Sequence, residues 1–126
     1  MRAYTIAASA FTLGVNTKWL DNVLSHHRVN GVFQQRQGIS RRLTPAALLT
    51  LEIAARLGRS FAIPLAPALE IATRLIRARE EGIEAPEISS LRIVADVDVI
   101  AGELNARLER AVEMSPTPRR GRPTRK

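Results

Sequence analysis

A mainly helical fold with a small β component is what this sequence predicts, on three observations. Alanine, leucine, isoleucine and valine dominate the middle of the chain, a composition that favours helices over sheets. Apolar residues recur at helical spacing in several blocks, most of them opened by a capping residue and closed by a glycine. One stretch, Val32 to Leu43, reads instead as a β-hairpin, with Gln35-Arg36-Gln37-Gly38 at its tip. Aromatic residues make up only 4% of the chain, so the core these blocks build is aliphatic.

The elements follow in order. Ile6, Ala7, Ala8 and Phe11 give a first short helix its apolar face, and Gly14 suits the turn after it. Asn16 is a good N-cap for a second helix, which carries Trp19, Leu20, Val23 and Leu24 on one side. Thr17, Lys18, Asp21, Asn22 and Ser25 face elsewhere, and Asn30-Gly31 marks the turn beyond. After the hairpin, Thr44-Pro45 starts a third helix, with threonine as cap and proline at the first helical position. That helix is expected to run to Leu57 and stop at Gly58. A fourth begins near Pro64 or Pro67 and ends about Glu81. Gly82 and Pro86 bracket a polar acidic loop, and Leu91 to Val97 reads as a strand. A last helix, capped by Asp96 or Asp98, carries the stripe Val97, Ile100, Ala101, Leu104, Leu108, Ala111 and Val112.

Charge is segregated along the chain. The formal net charge is +7. Through Ile63 there are eight Lys/Arg and two Asp/Glu; from Pro64 through Pro118 there are six and ten; the final eight residues hold five basic and no acidic side chains. Two basic ends around an acidic middle point to a polyanionic partner for the ends. Other classes are excluded or disfavoured. With no cysteine there is neither a disulfide nor a thiolate metal site. The adjacent His26-His27 pair diverges by about 100° on a helix and chelates poorly. No apolar run approaches the ~18 residues of a membrane span, and no signal peptide opens the chain. No phosphate loop, activated nucleophile or carboxylate pair suggests an enzyme. The expectation is a non-enzymatic cytoplasmic protein with no cofactor, no metal, no membrane association and no evident small-molecule effector.

Helix, turn, helix, hairpin and helix within residues 4–57 form the order of a winged helix-turn-helix, whose second helix enters the major groove of DNA. Asn16, Thr17, Lys18, Asn22 and Arg28 are then the candidate contacts from that helix. Gln35, Arg36, Gln37, Arg41 and Arg42 are those from the wing. On Tyr4-Thr5-Ile6, Leu13-Gly14-Val15-Asn16 and the glutamine- and arginine-bearing hairpin that runs into Leu43-Thr44-Pro45, the segment from Tyr4 to Leu57 resembles the DNA-binding domain of MerR-type regulators. The resemblance implies a recognition helix at Thr17 to Ser25 and a wing that includes Arg36 to Arg42. Asp21 stands where the pattern leads one to expect a basic or aromatic contact, and neither the family's metal loop nor its long coiled coil is present.

The tail from Ser115 is almost entirely proline and basic residues, which cannot form a packed core and predict disorder. Arg120-Gly121-Arg122-Pro123 matches the core of an AT-hook, in which glycine lets the backbone sit deep in a narrow A·T-rich minor groove and the arginines follow its floor. The lone strand beside the last helix predicts a two-fold dimer contact through Ile93, Ala95, Val97, Ile100, Leu104 and Leu108, since an isolated strand leaves its backbone unsatisfied. The sequence thus divides as 1–81, a winged helix-turn-helix with a supporting helix; 82–114, a strand–helix dimerisation element; and 115–126, a basic tail. The expected function is a homodimeric, sequence-specific regulator of transcription bound to double-stranded DNA in a bacterial nucleoid. An architectural, DNA-bending role remains the alternative.

Overall fold

Short caps and turns set the boundaries of every element. A computed structural model describes residues 2–34 and 41–114, without the side chains of 112–114. Its elements are α1 (Ile6–Leu13), α2 (Thr17–His26), β1 (Val32–Phe33), β2 (Arg42–Leu43), α3 (Pro45–Phe61), α4 (Leu65–Glu81), β3 (Glu87–Ile88), β4 (Leu91–Arg92) and α5 (Val97–Met114). The chain is therefore mainly helical with two small antiparallel hairpins, β1–β2 and β3–β4. Among the described residues, no helix is long and apolar enough to cross a membrane.

The caps act where the sequence places them. Asn16 Oδ1 accepts the Trp19 N–H at 2.6 Å and opens α2. Thr44 Oγ1 accepts the Ala47 N–H and opens α3, with Pro45 at its first position. Asp96 Oδ1 accepts the Val99 N–H and opens α5, so Asp96 rather than Asp98 is that helix's cap. Gly14 and Gly82 close α1 and α4 in the left-handed conformation. Tyr4 exchanges two backbone hydrogen bonds with Leu43, at 2.8 and 2.9 Å, and so lays the N-terminal segment along the free edge of β2.

Gly31 ties this region together. Its φ of 93° lies where only glycine is comfortable, and its carbonyl accepts the Thr44 N–H at 2.9 Å. A Cβ at this position would overlap Thr44 Oγ1, the group that caps α3. Gly31→Ala is expected to cost about 2–3 kcal/mol, from left-handed strain and loss of the cap together. Gly82→Ala meets only the strain, because the space around it is open, and should cost about 1 kcal/mol. Urea unfolding of the two variants checks the difference; equal midpoints would show that Thr44 simply moves aside.

Three expectations change. First, α3 does not stop at Gly58 but continues to Phe61, where Ala62 takes the left-handed conformation (φ 57°) and its N–H reaches Gly58 O. Glycine is tolerated inside a helix at a cost; Pro64 supplies the actual stop. Second, the polar loop after α4 contains β3, and the strand expected over Leu91 to Val97 is only Leu91–Arg92. It pairs with β3 in the same chain, Glu87 opposite Arg92 and Ile88 opposite Leu91, through a turn at Ser89-Ser90 with both residues at positive φ. Its backbone is thus satisfied locally. Third, the apolar face expected for α1 is only in part its buried face: Ala8 is buried and Ile6 packs against the core, but Ala7 and Phe11 are exposed. Phe11 is 53% exposed, while Ala8, Ser9, Ala10, Thr12 and Leu13 are buried. Small side chains around α1 allow three helices, α2, α3 and α5, to pack on it.

One core holds the molecule together. It runs from Ala10 and Leu13 through Leu20, Leu43, Leu48, Leu51, Ala68 and Ala72 to Leu104 and Leu108. α3 and α4 form a helical hairpin, and α5 lies across α1 with lesser contact to α3 and α4. Residues 1–81 and 82–114 therefore share a single interior. Val97, Leu104 and Leu108 are buried in it, and Ile93, Ala95 and Ile100 pack against it half-buried. The stripe expected to hold a second chain is occupied by α1, α3 and α4 of its own.

Candidate nucleic-acid interface

α2 is amphipathic in the way its sequence requires. Leu20 and Val23 are buried and Trp19 and Leu24 half-buried, which seats one face on the core. Thr17, Lys18, Asp21, Asn22 and Ser25 are exposed on the remainder. Asn16 is exposed, and with its side-chain Oδ1 engaged in capping its amide NH₂ is the donor left for a contact outward. At the far end, the His26 ring donates through Nδ1 to the Asn22 carbonyl at 2.8 Å, an interaction with the helix's own C-terminal turn. Among the described residues no group of histidine and carboxylate side chains is arranged to hold a metal.

The β1–β2 hairpin packs through β2 on α1 and α3, and one ion pair reaches from its loop side to α2. Phe33 and Arg42 are directly opposed and both exposed, whereas Leu43, one residue on, is fully buried. Alternation thus gives the hairpin an outer aromatic and cationic face and an inner apolar one. Arg41, on the loop side of β2, sits 3.8 Å from the Asp21 carboxylate of α2. Asp21, out of place as a DNA contact, therefore has a partner within the chain, in a loose surface pair that partly neutralises Arg41. Lys18, Arg28 and Arg42 make no ion pair among the described residues, and all are exposed. Arg2 stacks over the Tyr4 ring, 5.4 Å from its centre, and adds a further cation near β2.

Of the expected contacts, Asn16, Thr17, Lys18 and Asn22 belong to α2 and its cap, Arg42 to β2 and Arg28 to the connection between α2 and β1, with Arg41 paired to Asp21 of α2. Gln35, Arg36 and Gln37 lie outside the described residues, as do Arg120, Gly121 and Arg122.

Sequence reasoning missed an ionic network between α3 and α5. Glu52 of α3 is only 1% exposed. Its Oε2 accepts from Arg56 Nε at 2.7 Å and is 3.0 Å from Arg107 Nη2 of α5, while Oε1 has no hydrogen-bond partner. Arg56 also reaches Glu103 at 2.7 Å. Hydrogen bonds to Glu52 and then Glu103 hold the Arg56 guanidinium still more firmly protonated than usual. The i,i+4 spacing of Glu52 and Arg56 was visible in the sequence; the burial of Glu52 was not. A surface pair joins Arg79 to Asp98, and Arg92 braces β3–β4 through Glu84, Glu87 and the Ala85 carbonyl. No family model, curated protein or solved structure matches this chain.

Proposed function

We propose that this chain is a sequence-specific double-stranded DNA-binding protein that regulates transcription as a homodimer. In this reading, residues 4–57 form a MerR-like winged helix-turn-helix. The observation that carries it is the exposed polar ridge of α2 together with the cationic outer face of β1–β2, linked by the Asp21–Arg41 pair. Lys18 and Thr17 sit in the first turn of α2, where free backbone N–H groups and the helix dipole favour phosphate. Asn22 is placed one turn on to read a base edge in the major groove. Arg42 and Arg28 contact the flanking backbone, and the basic tail follows an adjacent A·T-rich minor groove. The second copy is not held by the α5 stripe, which is buried. It is held by the exposed apolar side chains Ile83, Leu91, Val94 and Val99 around the β3–β4 hairpin.

Binding of the full chain to duplex DNA as a function of salt tests the reading. Each phosphate contact contributes a slope of about 0.9 log units of affinity per log unit of salt. Lys18→Ala combined with Arg42→Ala should weaken binding and flatten the slope by about 1.8. Asp21→Ala should act in the opposite direction, because it frees Arg41 and removes a negative charge from the helix surface. A slope unchanged in the double variant would remove α2 and the hairpin from the interface. A preference for one sequence over random duplex of less than about 10³-fold would favour the architectural role over the regulatory one.

A further inference from the structure

We propose that the pocket between the α1–α2 turn and the C-terminal half of α3 binds a small organic anion with a flat aromatic body. Sequence reasoning found no sign of such a ligand, because the pocket is made by small residues rather than by a motif. The cavity measures about 360 Å³, at the lower end of the range for small-molecule sites and suited to one or two fused rings. Its lining includes Gly14 and Trp19 from the α1–α2 region, Gly58 and Arg59 from α3, and Ile63 and Leu65 from the start of α4 and the residues before it.

Gly58 is the informative residue. It lies inside the 17-residue α3, where glycine is a poorer helix former than alanine. Neither usual reason for a glycine applies. Its φ is not positive, and an added Cβ would come no closer than 3.6 Å to any neighbour, an ordinary contact with Ile63 O. What the absent side chain does is leave the pocket open. Trp19 offers an indole for stacking. Arg59 is exposed at the rim and makes no ion pair among the described residues. Its planar guanidinium matches a carboxylate or similar anion. Stacking on an indole calls for a flat ring, and the free arginine calls for the negative charge.

The chain contains a single tryptophan, so its indole N–H gives one resonance that reports on this pocket alone. The ¹⁵N-labelled full chain is titrated with 2-naphthoate and, in parallel, with the uncharged 2-naphthalenemethanol. The indole peak is expected to move saturably with both, and at about threefold lower concentration for the anion, the scale of one solvent-exposed ion pair. Gly58→Leu fills the cavity with a better helix former and should abolish the movement while the unfolding midpoint holds or rises. Arg59→Gln should erase the preference for the anion and leave the alcohol unaffected. No saturable shift below about 5 mM, weaker than the millimolar affinities at the low end of specific binding, overturns the site. So does an equal response in a folded Gly58→Leu. If Gly58→Leu does not fold, Gly58→Ala replaces it, with weaker binding of both probes expected and unchanged binding overturning the site. An unchanged preference in Arg59→Gln overturns the anionic class. None of these outcomes depends on whether the chain binds DNA.

Discussion

Replacing Arg56 and Arg107 together with methionine is expected to lower the unfolding free energy by about 3–5 kcal/mol. Glu52 has both its cations on one oxygen and almost no access to water. Removing them leaves a carboxylate desolvated without compensation, which is far more costly than losing a surface pair. Against a typical total stability of about 5–15 kcal/mol, the loss brings the chain near its unfolding threshold. Adding Glu52→Leu to the double variant should restore most of it, because an apolar replacement of a buried ion set is often neutral or better. Chemical denaturation of wild type, double and triple variants decides the matter. A double variant as stable as wild type would show that Glu52 does not depend on these two cations.

Leu104→Asp has a comparably large expected effect, and its character distinguishes two roles for α5. Leu104 is 2% exposed and lies in the core shared with α1 and α3. An aspartate there has no partner, and burial of an uncompensated polar or charged group costs several kcal/mol. The outcome should be loss of helical circular dichroism, not a folded monomer. Val94→Asp provides the contrast. Val94 is 77% exposed, so the fold should survive, within about 0.5 kcal/mol of wild type, and the proposed dimer should dissociate in sedimentation. A folded, dissociated Leu104→Asp protein would return the dimer contact to the α5 stripe.

The sequence made the caps legible because a cap is a local device. Asn16, Thr44-Pro45, Gly82 and Asp96 each act within one turn of helix, and nothing distant overrides them. The β3–β4 hairpin was not legible, since Ser89-Ser90 lacks the asparagine or glycine that such a turn favours. Its two positive-φ serines are strained residues held by the strand pairing and by Arg92. The stripe on α5 was correctly seen as apolar, yet periodicity tells only that a face is covered, never by what. For α1 the error had the opposite cause. Ser9 and Thr12 look unremarkable as core residues, yet both are buried in the helix on which α2, α3 and α5 pack. The exposed ridge of α2 was legible because amphipathic spacing assigns a helix's wet side as reliably as its dry one. The pairing of Asp21 with Arg41, 20 residues apart in sequence, was beyond local reasoning.

The packing of α5 across α1 also bears on how the chain is made. Leu104 follows Leu13 by 91 residues. At the usual 5–20 residues per second of synthesis, on the order of 5–20 s separates their emergence from a ribosome. Throughout that interval α1 lacks the helix that covers it, and the nascent N-terminal segment cannot bury its full interior. Closing so long a loop is entropically slow, and contacts of high sequence separation delay folding. The core shared by α1 and α5 is thus completed only after α5 has been translated.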